Sequence, residues 1–307
     1  MKYNTVIVTG GSGFIGSHLV DRLVEQAKRV VVVDKVKPTK TNKNPKAVYK
    51  KMNIQDGGIA ALFKKEQPEV VFHLAAHLFD RQSMEAPVDN AKDNILGSLN
   101  VFEGARHAGT KRIIFTSTGV VYGNQEQFPI SESMVPAPAT PYAISKLTGE
   151  RYLHFYHVVH SVGSVCLRLG NVYGPRQDSS AESGAIGIFT AKLLAGETAA
   201  INNDGKTTRD YIYVDDVVDA LLRAAGSEYV GSLNIGTGVE TATADLFELV
   251  REAVGVQSVP EGREEVVDVV KRVALKTAKA REVLDWQSSV ALQEGIVRTV
   301  AWYREHL

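Results

Sequence analysis

The stretch Thr9-Gly10-Gly11-Ser12-Gly13-Phe14-Ile15-Gly16 constrains this chain more than any other. A β-branched run over 4–9 precedes it, and an apolar stripe of Ile15, Leu19 and Leu23 marks a helix over 14–26 behind it. Strand, tight turn and helix in that order form a cradle for the phosphates of a dinucleotide. Gly10 permits the turn, Gly13 lets a pyrophosphate approach the backbone, and Gly16 lets helix and strand pack closely. Unpaired amides at the helix start, those of Phe14 and Ile15 among them, then face the phosphates. The valine run at 30–33 reads as a strand buried on both faces, and Asp34 ends it. A carboxylate there accepts the ribose hydroxyls of NAD and repels the 2′-phosphate of NADP, so NAD is the expected cofactor. Lys35 and Lys37 are the basic residues that argue the other way.

The same alternation continues. Strands are expected over 48–52, 69–73, 112–116 and 162–169, with helices over 58–66, 88–107 and 141–160 between them. Short links between strands and helices imply an α/β fold, a Rossmann-type doubly wound parallel sheet. Beyond 169 the pattern loosens. A polar loop at 175–184, a helix over 187–195, a loop over 202–208 and a helix opened by Asp215-Asp216 follow. A short strand over 232–235 and helices over 243–253, 278–284 and 292–305 complete the chain. The expected division is an NAD-binding Rossmann domain at 1–168 and a smaller, mainly substrate-binding lobe at 169–307, with some segments returning to the sheet.

Two elements carry proton chemistry. Tyr142 and Lys146 stand four residues apart, on one helical face. A free tyrosine titrates near ~10, and bringing it to neutrality takes ~4 kcal/mol of differential stabilisation. An adjacent ammonium and an oxidised nicotinamide ring are two positive charges that can supply it. Thr116, Ser117 and Thr118 end the strand whose C-terminal edge should lie at the cofactor crevice, where a hydroxyl can bind the reacting oxygen and pass its proton on.

Bulk properties exclude several partners. Lys plus Arg equals Asp plus Glu at 35 each, so net charge gives no reason to expect nucleic acid. No apolar run approaches the ~20 residues of a membrane helix, and the first strand starts too early for a signal segment before it. The single cysteine, Cys166, forms no intrachain disulfide and fits a reducing, cytoplasmic setting. No metal site is expected.

Together these segments resemble the extended short-chain dehydrogenase/reductase family, and within it the UDP-hexose 4-epimerases. Residues 9–16 look like that family's TGGxGFIG and 73–76, His73-Leu74-Ala75-Ala76, like its HxAA. Asn94-Ile95-Leu96-Gly97 resembles NxxG, and Ser117-Thr118 with Val121-Tyr122-Gly123 resembles its (S/T)(S/T)xxVYG. Pro141 to Lys146 resembles PYxxSK, and Arg168 to Gln177 resembles RxxNVYGPRQ. Arg209 to Asp216 resembles RDxxxVxD, followed by Asn234-Ile235-Gly236-Thr237-Gly238 as NIGTG. The resemblance implies Tyr142 as base, Lys146 as its partner and Thr118 as the hydroxyl bound to the sugar. It implies NAD contacts from Gly10, Gly13, Phe14, Ile15, Gly16, Asp34, Leu74, Ala75, Ala76, Asn94 and Thr116, and adenine contacts from Asn53 and Ile54. Asn171 and Arg209 would hold the diphosphate of a UDP-sugar substrate. The implied reaction is 4-epimerisation of UDP-glucose and UDP-galactose through a transient 4-keto sugar, by a homodimer that pairs helices 88–107 and 141–160.

Departures refine that expectation. Related dehydratases carry acids, and UDP-glucuronate decarboxylases a glutamate, where this chain has Gly119 and Val120; neither can move a proton. Asn202 stands where an aromatic often meets the uracil, and Asn203 replaces a glycine. The family's RxGD element has Arg263-Glu264-Glu265 as its nearest counterpart, and Lys276 stands where an aspartate is frequent. Small residues at Val273 and Ala274 are expected beside the sugar's 2-substituent. The alternatives are 4-epimerisation of UDP-N-acetylglucosamine or UDP-glucuronate, a nucleotide-sugar reductase or dehydrogenase, and a non-catalytic NAD sensor.

Overall fold

The computed structural model describes residues 2–77, 80–179, 184–263 and 269–307. Its centre is a seven-stranded, wholly parallel sheet. Its strands are β1 (Tyr3–Thr9), β2 (Ala27–Asp34), β3 (Val48–Lys51), β4 (Val70–His73), β5 (Arg112–Thr118) and β6 (Gly163–Leu169). The seventh, Gly231–Ile235, comes from the C-terminal part of the chain and pairs with β6. The spatial order is Gly231–Ile235, β6, β5, β4, β1, β2, β3, so the winding reverses between β1 and β4. Open α/β sheets bind ligands at the carboxyl ends of strands flanking such a reversal.

Alternation along the strands gives each face its own core. Val6, Val8, Val30, Val32 and Phe72 face one layer, under helix α1 (Phe14–Leu23) and the helix Val214–Gly226. Ile7, Val31, Val33, Val71 and Phe115 face the other, under α2 (Gly58–Glu66), the helix Gly97–His107 and the helix Pro141–His160. Burial on both faces is why the strands read as continuous apolar runs.

Helix α1 stops at Leu23, short of the expected 26, because Ala27 must already pair with Tyr3 to set the β1–β2 register. The expected helix over 88–107 is Pro87–Ala91, a π-turn at Lys92–Leu96 and then Gly97–His107. The wider turn carries Asn94, which is buried and hydrogen-bonded to His77. The expected loop over 202–208 contains the end of the strand Ala200–Asn202 and the start of the strand Thr208–Arg209. These pair with Glu261–Arg263 and Thr241–Ala242, partners too distant and too short to show in a periodicity.

Where α1 meets the ends of β1 and β4, Gly10 and Gly16 have no room for a side chain. Gly10 adopts φ +72°, and a Cβ there would lie 2.6 Å from the Ala75 nitrogen at the end of β4. A Cβ on Gly16 would meet the Gly10 carbonyl and come within 2.7 Å of Gly11 Cα, both backbone. Gly16→Ala is therefore expected to cost about 2–4 kcal/mol of stability, read as a lower urea midpoint at unchanged slope. Gly57→Ala, into open space at a helical φ of −60°, is the control and should stay within about 0.5 kcal/mol.

Candidate active site

A crevice of about 390 Å³ opens at the carboxyl ends of β1, β2, β4, β5 and β6. Gly10, Gly13, Phe14, Ile15 and Gly16 form its floor. Gly13 caps α1 without a side-chain bond, and Ser17 N–H is the first to close back, onto Gly13 O at 3.0 Å. The amides of 14–16 have no carbonyl one turn earlier, so they point into the crevice as donors. Ser12 Oγ, in the same turn, is buried with no partner among the described residues. A dinucleotide pyrophosphate fits this arrangement. At one end Asp34 accepts the N–H of Ser12 through Oδ2 (3.0 Å) and of Val36 through Oδ1 (3.1 Å). Its oxygens keep lone pairs for two ribose hydroxyls. Asn53 and Ile54 line the same end, with Asn53 Oδ1 accepting from Gln55 N–H at 3.0 Å. Leu74, Ala75 and Ala76 line the middle.

His73 stiffens the wall behind them. It is fully buried, with Nδ1 2.6 Å from Thr9 Oγ1 and Nε2 2.9 Å from Ser98 Oγ. Ser98 spends its own proton on Asn94 O (2.6 Å), so the network assigns the hydrogen to Nε2 and makes Nδ1 an acceptor from Thr9. Burial, with the Lys146 charge behind it, pulls this imidazole down to a pKa of about 3. Asn94 does not line the crevice: Oδ1 accepts from His77 N–H (2.7 Å), and Nδ2 donates to His77 O (3.0 Å) and Ser145 Oγ (3.2 Å). It braces the wall from outside.

At the other end the helix Pro141–His160 starts under Thr140, whose hydroxyl accepts from Ala143 N–H at 3.2 Å. Proline at its first position suits a helix start. Tyr142 and Lys146 both line the crevice, on one face as their spacing requires. Lys146 is 3% exposed, donates from Nζ to Thr116 O (2.8 Å), and sits 4.7 Å from the Phe115 ring centroid and 5.9 Å from that of Tyr142. Burial lowers its pKa to about 7, against the opposing pull of Cys166 and Glu150. Thr118 also lines the crevice; its Oγ1 accepts from Val120 N–H at 3.4 Å, which leaves its proton to donate outward. Ser117, its neighbour in the motif, lines the crevice but turns its hydroxyl away, onto Glu150 Oε1 at 2.5 Å.

The remaining expected residues lie outside this lining. Asn171 begins a short strand whose amide donates to Asp210 O at 2.6 Å, and Arg209 Nη1 donates to the carbonyls of Thr208 (2.9 Å) and Lys271 (3.3 Å). Val273 and Ala274 are each 1% exposed and do not line the crevice; Val273 packs with Val121, Tyr122, Ile130 and Leu275. Glu264 and Glu265 lie outside the described residues. The sequence reading left Lys35, Val36, Asp93, Leu169, Gly170, Val172 and Gln177 off the site, yet all line the crevice. Lys35, Val36, Leu169 and Gly170 sit at or just past strand ends, so the strand-end rule could have found them. Val172 and Gln177 fall within the motif at 168–177, which marked that segment, whereas Asp93 had no such signal.

A doubly wound sheet with a glycine cradle at its reversal, an acid at the end of β2 and a tyrosine–lysine pair across the crevice defines a nicotinamide-dinucleotide enzyme. The model of the NAD dependent epimerase/dehydratase family matches residues 6–236, and the chain belongs to that family. It is 42% identical over 306 residues to a UDP-glucose 4-epimerase of Mycolicibacterium smegmatis, covering 97% of this chain and 98% of that one. It superposes on the crystal structure of the UDP-glucose 4-epimerase of Thermotoga maritima with UDP-glucose at a TM-score of 0.96 and 41% identity, covering 98% and 99% of the two chains. A UDP-N-acetylglucosamine 4-epimerase of Methanobrevibacter ruminantium, in complex with UDP-N-acetylmuramic acid, matches at 0.94 and 30% identity over the full length of both. The chain is an NAD-dependent nucleotide-sugar epimerase. Among the described residues no helix is long and apolar enough to cross a membrane, and no cluster of metal-ligating side chains occurs.

The buried His73 makes a pH prediction. In the unfolded chain it takes up a proton below about 6.5, whereas in the folded protein it does so only near 3. Its contribution is complete above about 6.5 and is lost as pH falls toward 3, with a slope of up to about 1.4 kcal/mol per pH unit. Urea titrations from pH 7 to 4 should show His73→Gln losing stability less steeply than the wild type. Parallel curves would refute the assignment of this slope to His73.

Proposed function

We propose that the protein interconverts UDP-glucose and UDP-galactose by 4-epimerisation through a transient 4-keto sugar. The observation that carries this reading is the buried Lys146 ammonium beside the Tyr142 ring, facing the same crevice as the phosphate cradle and Asp34. NAD, when bound, supplies hydride acceptance and return at the sugar carbon. Tyr142 takes the proton of the 4-hydroxyl and later gives it back. Lys146 lowers the cost of the phenolate by placing a desolvated positive charge near it. Thr118 donates to the reacting oxygen. Residues 1–168 serve the dinucleotide; residues 169–307 serve mainly the sugar nucleotide, with Asn171 and Arg209 on its diphosphate.

The proton chemistry stays at one carbon. A Cβ on Gly119 would meet Leu275 and Val273 side chains at 3.2 and 3.3 Å, so this position is closed by apolar groups. That supports epimerisation over dehydration or decarboxylation. The two UDP-glucose 4-epimerases are also more similar to the chain than the UDP-N-acetylglucosamine enzyme is.

The chain acts as a homodimer in this reading. Leu153 and Tyr156 point inward at 0% and 3% exposure, while Phe155, Val158 and Val159 on the same helix stand at 43%, 66% and 58%. Val88 and Leu96, on the adjoining helical segments, are 66% and 60% exposed. Apolar groups on the outward side of two neighbouring helices fit a second copy of the same surface across a twofold axis.

Two experiments test this. Pure protein incubated with UDP-glucose, UDP-galactose, UDP-N-acetylglucosamine and UDP-glucuronate should epimerise the first pair fastest. Tyr142→Phe should keep its NAD and lose turnover by at least ~10², the scale of a lost general base. Near-wild-type turnover in that variant would remove Tyr142 from the mechanism, and preference for an N-acetylated or acidic sugar would reassign the substrate. Light scattering at micromolar concentration should give twice the chain mass, and Phe155→Asp should reduce it. A monomeric wild type would refute the dimer.

A further inference from the structure

Glu150 stands one helical turn beyond Lys146, on the same helix and behind the crevice wall. It is 6% exposed. Three strands of the sheet reach it: Ser117 Oγ donates from β5 (2.5 Å), Arg168 donates from β6 through Nε (3.0 Å) and Nη2 (2.6 Å), and Ser232 Oγ donates from the seventh strand (2.8 Å). Arg168 also donates to Tyr122 Oη (2.7 Å), which donates to Asn234 Oδ1 (2.8 Å). A buried ion pair is rarely more stabilising than an apolar pair of the same volume, so its place in the core calls for another reason.

The surroundings of Lys146 supply one. From β5 it meets the Thr116 carbonyl and the Phe115 ring, and from its own helix Tyr142. From β4 it faces His73, which burial keeps neutral, and from β6 Cys166, whose thiol burial pushes well up and so keeps neutral. Glu150 is the charged anion acting on it among the described residues. Ser117, tied to Glu150, lies between the residue whose carbonyl holds Lys146 and the residue whose hydroxyl faces the substrate side.

We propose that Glu150 is the positioning residue of the Tyr142–Lys146 pair: through Ser117 it fixes the end of β5, and its carboxylate, paired with Arg168, places a negative charge one helical turn from the buried Lys146 ammonium. This rests on Lys146 acting as proposed above. Burial alone pulls the ammonium toward its neutral form. Removing the carboxylate takes away its opposing pull and lets burial move Lys146 further the same way.

The experiment compares Glu150→Gln, Glu150→Asp and Ser117→Ala in the NAD-loaded protein. Lys146 is titrated by NMR of its 13Cε resonance, assigned by its absence from Lys146→Met, and pH profiles of kcat and KM are measured alongside. In Glu150→Gln the Lys146 titration and the alkaline limb of kcat should both move about one unit to lower pH, as loss of a nearby opposite charge requires. KM should change much less than kcat. Glu150→Asp, which keeps the charge, should leave the titration near its wild-type position. A Glu150→Gln protein that folds with the Lys146 titration unmoved overturns the proposal, as does equal loss in Gln and Asp variants with an unmoved alkaline limb. Should Glu150→Gln not fold, Ser117→Ala decides: a several-fold fall in kcat at unchanged KM and unchanged NAD content supports the proposal, and wild-type kcat overturns it. If the wild type turns over no UDP-sugar while the titration still shifts, the functional reading fails and the control of Lys146 by Glu150 stands.

Discussion

The closeness of α1 to the ends of β1 and β4 is the constraint on which the rest of this structure depends. Gly10 and Gly16 face each other across backbone, and Gly10 also lies against the Ala75 amide. Side chains at either position would push the helix away from the sheet. The α1 amides would then no longer face the crevice, and Asp34, whose Oδ2 is held by Ser12 N–H in the same turn, would lose its support. The cradle and the ribose end are therefore one rigid piece, built from local sequence and closed by one long-range contact to β4.

The catalytic end is built differently, from buried charge rather than close backbone. Desolvation disfavours both a protonated His73 and a protonated Lys146, but the two differ in what compensates. His73 has hydrogen-bond partners suited to a neutral imidazole and stays neutral. Lys146 has a carbonyl, aromatic faces and a carboxylate one turn away, which suit a cation. With its pKa lowered to about 7 by burial, Lys146 sits where small changes in nearby charge shift its protonation. The neutral histidine contributes by adding no second positive charge to the wall.

The cradle was legible in the sequence because its geometry is local: glycine spacing, a strand before and a helix after specify it within eight residues. The tyrosine and lysine were legible for the same reason, as a four-residue step on one helix. What sequence could not reveal depends on tertiary contacts. The direction of the Ser117 hydroxyl is set by Glu150, 33 positions away, and the bracing role of Asn94 by a π-turn that propensity does not signal. The C-terminal strands of two or three residues pair with partners up to 61 positions distant, and no periodicity of such length exists to read. Val273 and Ala274 were expected at a pocket wall from sequence register, but Leu275 N–H donates to the buried Asp210 (2.9 Å) and turns that segment into the core.

Asp210 explains how separate segments of the C-terminal part of the chain are held in register with one another. It is fully buried, and burial raises its pKa against the pull of its hydrogen bonds. Those bonds come from Thr237 N–H and Oγ (each 2.7 Å), Gly238 N–H (3.0 Å) and Leu275 N–H (2.9 Å). Its backbone carbonyl accepts from Asn171 N–H. One carboxylate thus ties the loop after the seventh strand, the segment at 273–275 and the residue expected at the substrate diphosphate to a single point. Four donors to one carboxylate specify geometry more than they add stability, because the charge they satisfy is costly to bury. The same 273–275 segment closes the space over Gly119, so Asp210 fixes both the Asn171 backbone and the apolar cover of that position.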